Sequence, residues 1–270
     1  MSHMTAESLE IPLGFLRCPV THSQLHLEEG DLLSPGGLTY RQHPRHGFYS
    51  FIPEGLPELK SPRWRTWEHL QANAVVPYTV DPIHNLGVGK RQDFLDFADF
   101  CGFHGFVLDI GAGPQACPTH IEYTPCDDVT FYGIDPLIGD QPKGYRFAQA
   151  LGEYLPFADD IFDQALFVTT IDHFTDPWKA LREATRIVKP GGDICVWFGE
   201  KDDDAPVNLY SPSWYTRLKV PDLASDVFHF ERFTEAHVRT LVRDSGLEVV
   251  QAEITPVDEW RRNHFYRIRS

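Results

Sequence analysis

The stretch Val107-Leu108-Asp109-Ile110-Gly111-Ala112-Gly113-Pro114 decides the fold, together with the run Phe131-Tyr132-Gly133-Ile134-Asp135 that follows it. The first indicates a buried strand that turns through two glycines into a helix. The second indicates the neighbouring strand, with a carboxylate at its carboxyl end. Glycines let backbone N–H groups approach a ligand, and an acid at that place accepts hydrogen bonds from ribose hydroxyls. The two runs therefore predict a nucleoside-binding pocket.

Two nucleoside cofactors compete for this pocket. Gly111-Ala112-Gly113-Pro114-Gln115-Ala116 also fits the G-x-G-x-x-A fingerprint of dinucleotide-binding proteins, and Asp135 stands near the acidic position of that motif. Asp109 distinguishes them. In a dinucleotide enzyme this buried carboxylate would lie beside the pyrophosphate, where like charges repel. Beside S-adenosylmethionine (SAM) it would face a cationic sulfonium ligand that also carries an ammonium group, so the sequence favours SAM over NAD.

Composition limits the classes of protein that the chain can represent. Its 270 residues, 42% of them hydrophobic, predict one large domain with a small appendage, or two modest domains. A net charge of −15 opposes general binding to nucleic acid or to an anionic membrane. No run approaches the roughly 18 apolar residues that a membrane span needs. The five cysteines are scattered, without a C-x-x-C pair, which indicates a reducing, cytoplasmic environment.

The order of local patterns predicts four parts. Residues 1–10 include a start that resembles a cloning remnant and are set aside; residues 11–58 hold short β-like runs at 25–27, 36–40 and 47–53. Residues 59–104 are expected to form a helical extension, with helices near 64–72 and 90–100. From residue 105 onwards strands and helices alternate, which predicts an α/β, doubly wound, Rossmann-like sheet that is mostly parallel with an antiparallel last strand.

Strands of this sheet are expected at 106–110, 130–134, 164–168, 193–198, 248–254 and 264–268. A helix is expected after the third of these, with Asp176 as its N-cap, Pro177 in its first turn, and Trp178, Leu181 and Val188 on one face. The segment Lys189-Pro190-Gly191-Gly192 should end it. A last helix should run from Thr234 to Ser245 and stop at Gly246.

Three motifs in register carry a family resemblance. Leu108-Asp109-Ile110-Gly111-Ala112-Gly113 resembles the first motif of class I SAM-dependent methyltransferases. Glu153-Tyr154-Leu155-Pro156-Phe157-Ala158-Asp159-Asp160-Ile161-Phe162-Asp163 and Ala184-Thr185-Arg186-Ile187-Val188-Lys189-Pro190-Gly191-Gly192 resemble two further segments of the ubiquinone/menaquinone-biosynthesis type. The resemblance covers about residues 85–270.

The resemblance implies SAM as the cofactor and assigns a set of binding residues. Asp109, Gly111 and Gly113 would contact the methionine part of SAM, Asp135 its ribose, and the segment Leu151-Gly152-Glu153 would flank its adenine. The family usually has an acid where Leu151 stands, so the neighbouring backbone would bind the adenine amino group instead. The expected cofactor-binding set is Asp109, Gly111, Ala112, Gly113, Asp135, Pro136, Gly152, Glu153 and Thr169.

The amino-terminal part resembles the small zinc-ribbon-like domain related to the tRNA-methyltransferase activator family. Leu16-Arg17-Cys18-Pro19 and the run Gly47-Phe48-Tyr49-Ser50-Phe51-Ile52-Pro53 carry this likeness. Thr21 stands where a second zinc-binding cysteine would be, and no later cysteine pair exists. Cys18, His22, His43 and His46 would make an unusual ligand set, so a metal-free structural module is expected.

Candidate catalytic residues follow the third parallel strand, at Asp172 and His173. The carboxyl ends of parallel strands open onto the ligand crevice, so His173 should face the methyl donor and act as a general base. His229 is a second candidate base. It lies in residues 199–230, a connection long enough to be a lid or a substrate-binding insertion, although its aromatic residues are equally typical of ordinary core.

These observations predict an enzyme that transfers a methyl group from SAM to a small molecule, which could be a natural product or a quinone-like acceptor. Two alternatives stay open. One is a SAM-binding protein that does not methylate and instead regulates a partner. The other is an NAD-dependent oxidoreductase, which would leave Asp109 and Leu155-Pro156-Phe157 without a role.

Overall fold

A seven-stranded sheet forms the centre of the computed structural model, which describes residues 10–53, 55–125, 128–202 and 213–269. The strands, in chain order, are β4 (Gly105–Ile110), β5 (Val129–Asp135), β6 (Arg146–Gln149), β7 (Phe162–Val168), β8 (Val188–Lys201), β9 (Glu248–Pro256) and β10 (Arg261–Arg269). Their order across the sheet is β6-β5-β4-β7-β8-β10-β9. Strand β10 pairs antiparallel with both β8 and β9, whereas the pairs from β6 to β8 are all parallel. The predicted fold class, including the antiparallel last strand, is confirmed.

The parallel strands lie where hydrophobic runs stand in the sequence. Strands β4, β5 and β7 are buried along most of their length, as expected for strands covered on both faces. Strand β6 and the short helix α4 (Thr119–Glu122) were not predicted. Both are only four residues long, too short to show a periodic pattern.

Strand β8 begins earlier than predicted. Its pairing with β7 jumps from Phe162 opposite Val188 to Gln164 opposite Asp193, so Lys189-Pro190-Gly191-Gly192 form an irregular bulge within the strand. The preceding helix α5 (Pro177–Ile187) therefore ends one residue before Val188.

Helix α5 begins as predicted, because the Asp176 side chain accepts a hydrogen bond from the Lys179 N–H and Pro177 opens the helix. The prediction that Trp178 and Val188 lie with Leu181 on its buried face is wrong. Trp178 is 41% exposed, since it follows Pro177 by one residue and therefore points about 100° away from the buried stripe.

The other helices flank the sheet or cover its edge. They are α1 (Pro62–Val80), α2 (Pro82–Asn85), α3 (Gln92–Cys101) and α6 (Glu235–Asp244). Helix α1 is eight residues longer at its carboxyl end than predicted. Helix α6 has the expected Thr234 cap, here completed by the His237 side chain, which accepts from the Thr234 N–H.

The amino-terminal part contains a small antiparallel sheet of β1 (His26–Glu28), β2 (Asp31–Leu33) and β3 (Thr39–Tyr40). It shares the main hydrophobic core, since Leu16 and Phe51 pack in the same buried cluster as Leu108 and Phe157. Backbone hydrogen bonds from Arg17 to Pro156 and from Phe51 to Gln149 join it to the larger unit. Residues 47–53, expected to be a hairpin strand, contribute only isolated bridges.

The polar residues weighed as zinc ligands in this part do not converge. The Cys18 thiol lies 3.1 Å from the Tyr40 hydroxyl, the His22 ring lies 3.6 Å from Glu183, and His43 stacks on His46. Cys18, Cys101 and Cys195 are free thiols. Within the same residues, every helix is too short or too polar to pass through a lipid bilayer.

Candidate active site

A cavity lies at the carboxyl edge of β4, β5 and β7. All nine residues predicted to bind the cofactor line it: Asp109, Gly111, Ala112, Gly113, Asp135, Pro136, Gly152, Glu153 and Thr169. The topology explains this, because the carboxyl ends of adjacent parallel strands open onto one crevice. Residues up to 60 positions apart in the chain are thereby brought around one space.

The turn after β4 depends on glycine. Gly111 and Gly113 have φ of +88° and +81°, a backbone conformation that favours glycine. A Cβ at Gly111 would lie 2.8 Å from the Thr170 side chain. Both glycines line the cavity, and the missing side chain at Gly111 leaves room for Thr170.

Asp109 is fully buried and only half partnered. Its Oδ2 lies 2.9 Å from Nε2 of His120, whose ring stacks on Phe94. Its Oδ1 is buried with no hydrogen-bond partner among the described residues. Because an unsatisfied buried carboxylate oxygen is costly, this oxygen is suited to a cationic group that enters the cavity.

Asp135 holds the loop that faces it. One oxygen accepts from the Gly113 N–H at 2.8 Å and the other from the Leu137 N–H at 2.7 Å. Burial raises the pKa of its carboxyl to about 6, while those two N–H groups and the Lys143 ammonium act in the opposite direction. Lys143 donates to the carbonyls of Gly113 and Gln115, and burial lowers its pKa to about 8. The carboxylate is thus fixed with unused lone pairs near the cavity.

Gly152 and Glu153, which follow β6, have different roles, although the sequence predicted that both flank the adenine. Gly152 allows a close approach, since a Cβ there would lie 2.5 Å from the Phe174 ring. Glu153 lines the cavity, but its Oε1 accepts from the N–H and hydroxyl of Thr175 and from the Asp176 N–H. Glu153 therefore supports the loop that precedes α5.

The end of β7 is strained where it meets the cavity. Thr169 has φ of +55°, which is uncommon for a residue with a Cβ. Its N–H donates to the Trp197 carbonyl at 2.8 Å, and the Thr170 hydroxyl donates to the Ile110 carbonyl. Thr170 and His173, which follow this residue, line the cavity with it.

One face of α1 covers the cavity, and the sequence analysis missed it. Trp67, Gln71, Ala74 and Tyr78 line the space at intervals of four, three and four residues, which is the spacing of a single helical face. Burial raises the pKa of the Tyr78 phenol. The same spacing is visible in the sequence, but nothing there indicates which element the face covers.

The three candidate catalytic residues come together. His173 lines the cavity, and the rings of His173 and His229 are 4.4 Å apart. Their Nε2 atoms lie 4.0 and 3.8 Å from carboxylate oxygens of Asp172. Burial and the neighbouring His229 lower the pKa of His173 to about 4, so its imidazole is neutral at pH 7. Asp172 and His229 do not line the cavity and lie behind His173.

Asp226 completes this cluster and was not predicted. It lies 2.9 Å from Nδ1 of His229 and also pairs with Arg232. These cationic and hydrogen-bonding partners lower the pKa of the Asp226 carboxyl despite its burial. Its side chain stands three residues before His229, a spacing without a recognised motif.

The predicted insertion divides into several parts. Residues 199–201 belong to β8, and residues 203–212, with Tyr210, lie outside the described residues. The rings of Trp214 and Tyr215 contact Phe228, whereas Phe230 packs in a core cluster with Trp67. The sequence left open whether these aromatic residues belong to an insertion or to the core. Within residues 213–230, Trp214, Tyr215 and Phe228 contact one another, and Phe230 belongs to the core.

Hydrogen bonds fix this segment to α1. Thr66 donates to the Asp222 carbonyl, and the Asn73 amide donates to the carbonyls of Lys219 and Val227. The Trp67 indole donates to the His173 carbonyl at 3.1 Å. Helix α1, which lines the cavity, is thereby tied both to this segment and to the His173 loop.

The central part of the chain is similar to known methyltransferase sequences. Residues 108–196 match a family model described as a methyltransferase domain. An uncharacterized methyltransferase of Mycobacterium leprae is 39% identical over 105 residues, which cover 34% of this chain and 38% of that protein. An uncharacterized Escherichia coli protein, YafE, is 31% identical over 109 residues, 40% of this chain and 49% of its own length. The chain thus spans less than half the length of these curated relatives.

A solved structure extends the likeness across the fold. The 1,6-didemethyltoxoflavin-N1-methyltransferase of Burkholderia thailandensis, solved with 1,6-didemethyltoxoflavin and S-adenosylhomocysteine, has 15% sequence identity and a TM-score of 0.54. The match covers 91% of this chain and 99% of that one. Residues 108–196 therefore resemble a methyltransferase domain, and the chain shares the Rossmann-like fold of the methyltransferase structure that it matches.

Proposed function

We propose that this protein transfers the methyl group of SAM to a small-molecule acceptor. The observation that carries the proposal is the unpartnered, buried Oδ1 of Asp109 in a cavity bounded by the Gly111–Gly113 turn and Asp135. SAM supplies an activated methyl group and carries an ammonium group that complements this carboxylate. A dinucleotide would bring its pyrophosphate against the same negative charge, which is unfavourable.

In this proposal, different residues of the cavity bind different parts of the cofactor. Asp109 binds the ammonium group, and the exposed backbone of Gly111 and Gly113 admits the methionine part. Asp135 accepts from the ribose hydroxyls, and the backbone of Gly152 lies beside the adenine. Glu153 acts indirectly, by holding the Thr175 loop.

The acceptor enters from the side formed by α1 and residues 213–230. The groups there are a neutral imidazole, an indole and a protonated phenol, those of His173, Trp67 and Tyr78. Such a surface, in a protein of net charge −15, suits a neutral or cationic small molecule better than nucleic acid. A natural product or a quinone-like compound has this character.

Catalysis in this proposal depends mainly on position. The acceptor atom must lie in line with the bond from methyl carbon to sulfur, and well-oriented reactants can remove several kcal/mol from a barrier. His173 is the group best placed to influence the proton on the acceptor. Asp172 and His229 act through His173 or beside it.

Calorimetry with SAM, S-adenosylhomocysteine and NAD tests the cofactor assignment. We expect both sulfur compounds to bind and NAD not to bind. NAD binding in their place would support the oxidoreductase alternative and overturn the proposal. Incubation with tritiated SAM and pools of small metabolites then tests transfer; SAM binding without transfer to any pool would favour the regulatory alternative.

A further inference from the structure

We propose that Asp172, His173 and His229 bind a divalent transition-metal ion beside the methyl-donor site. Metal binding itself needs only these side chains; the catalytic role of the ion rests on the proposed function. The sequence predicted no metal, and it singled out these three residues only as candidate catalytic groups. Among the residues that the structure describes, this is the one group of three potential ligands close enough to share an ion.

The distances fit a site that closes around an ion. The ligand atoms of the three side chains all lie within 4.8 Å of one another, and the Nε2 atoms of the histidines lie 4.0 and 3.8 Å from Asp172 oxygens. Metal–ligand bonds of about 2.0–2.2 Å place neighbouring ligand atoms roughly 3–3.5 Å apart. Side-chain movements of less than about 1 Å are therefore sufficient.

A carboxylate already orients one of the histidines. Asp226 lies 2.9 Å from Nδ1 of His229, which leaves the Nε2 of that ring directed at Asp172. Metal-binding histidines usually donate their second ring N–H to a carboxylate in this way, which fixes the tautomer. Arg232 contacts Asp226 from the other side and fixes the carboxylate. The position of Asp226 therefore supports the metal site separately from the distances among the three ligands.

The donor set indicates the class of metal. Two imidazoles and one carboxylate suit zinc, iron, manganese, cobalt or nickel, whereas calcium and magnesium prefer sites made of oxygen. Three protein ligands also leave positions open for a further ligand. His173 lines the cavity, so these positions can face the acceptor.

An ion in this place would act as a Lewis acid. An acceptor hydroxyl bound to it would lose its proton to solvent more easily, since metal ions lower the pKa of bound oxygen ligands. The resulting oxygen then forms a bond to the methyl carbon while the carbon–sulfur bond breaks, and the sulfur leaves as a neutral thioether. The metal does not change its oxidation state.

Metal uptake is measured on the full chain, first stripped with a chelator. Cobalt(II) is titrated while its visible absorption is followed, and zinc(II) is titrated by calorimetry. We expect one ion per chain, with affinity reduced at least a hundredfold in His173→Ala and His229→Ala. Asp226→Asn should weaken uptake by about 10–100-fold, as expected for a residue that orients a ligand. His69→Ala removes an exposed imidazole of α1 and serves as the matched control.

Circular dichroism shows whether each variant folds; if His229→Ala does not, His229→Gln and His173→Ala carry the test. The proposal is overturned if folded wild-type protein takes up neither ion, or if the ligand variants bind cobalt as well as the His69→Ala control. SAM binding without metal uptake would leave the proposed function standing alone. Metal uptake without SAM binding would reject the proposed function and retain the metal site.

Discussion

The two halves of the cavity are built in different ways. The cofactor half comes from short turns that directly follow adjacent strands, such as Gly111–Gly113 after β4 and Asp135 at the end of β5. The acceptor half, named for the role we propose, is lined by α1, which hydrogen-bonds to residues 213–230, about 150 positions away in the chain. The first half is specified by local sequence and the second by long-range contacts. The predictions below test whether this division also separates cofactor binding from transfer.

The largest effect is expected from Gly111→Val in the cofactor half. The left-handed backbone at this position costs about 1–2 kcal/mol for a residue with a Cβ, and the new side chain would also collide with Thr170. SAM affinity should fall by about a hundredfold or more, measured by calorimetry. Gly191→Val has a similar positive φ with open space around it and is the control. Equal SAM affinity in the two variants would show that the turn does not form the pocket.

His173→Ala should separate the halves in the opposite direction. Turnover should fall by about a hundredfold, the lower end of the range for a group that assists proton transfer, while SAM affinity stays within about twofold. Transfer of tritiated methyl groups and calorimetry measure the two effects on the same protein. A variant with full turnover would show that position alone suffices or that the acceptor is already ionised.

Asp135→Ala should weaken SAM binding by about ten- to a hundredfold. Loss of a hydrogen bond to a charged group is worth about 1.5–3 kcal/mol, and each 1.4 kcal/mol corresponds to a factor of ten. Because the acceptor half is untouched, turnover at saturating SAM should change little. A fall in turnover with unchanged affinity would place Asp135 in the acceptor half and contradict the division.

The pH dependence of SAM affinity sharpens the same point. The pKa of Asp135 is about 6, and its ionised form is the better acceptor for ribose hydroxyls. Protonation below pH 6 removes that acceptor, so the dissociation constant should rise by up to about tenfold between pH 7.5 and 5. Asp109 and Lys143 are the charged neighbours that act on this carboxyl. Asp135→Asn cannot titrate, and its weaker affinity should therefore lose this dependence on pH.

The smallest effect is expected at Asn73, which joins α1 to residues 213–230. Asn73→Ala removes the hydrogen bonds to the Lys219 and Val227 carbonyls, which should loosen residues 213–230 and raise the KM for the acceptor a few-fold. SAM affinity should not change. Thr79→Ala, on the exposed side of α1, is the control, because its hydroxyl bonds only within the helix. An equal effect of both variants on KM would mean that this joint does not shape the acceptor side.

The residues predicted to bind the cofactor line one cavity, and they could be found from the sequence because their signals are local. The Asp109–Gly113 motif and Asp135 each follow a hydrophobic strand run, and topology brings strand ends together without further information. Glu153 also lines the cavity, and its carboxylate accepts hydrogen bonds from the Thr175 loop. The sequence alone does not show whether the Glu153 carboxylate accepts hydrogen bonds from a ligand or from backbone N–H groups.

The acceptor half was predicted only in fragments. His173 and His229 were singled out separately, but no pattern indicated that their rings lie 4.4 Å apart. Asp226 and the cavity face of α1 were missed, since their roles depend on partners far away in the chain. Side-chain clusters of this kind are fixed by packing, which a single sequence does not encode in any short motif.

The position of β10 between β8 and β9 has a consequence for synthesis of the chain. A ribosome completes β8 and β9 before β10, so the edge of β8 stays unpaired until the strand between them emerges. The packing of helix α3 is also incomplete until then, because Phe97 packs against Phe265 of β10. An open, hydrophobic strand edge in a nascent chain is a site of wrong pairing and aggregation. The β8 edge of the newly made protein therefore stays unpaired until β10 is made. A chaperone that shields this edge should improve the yield of folded protein.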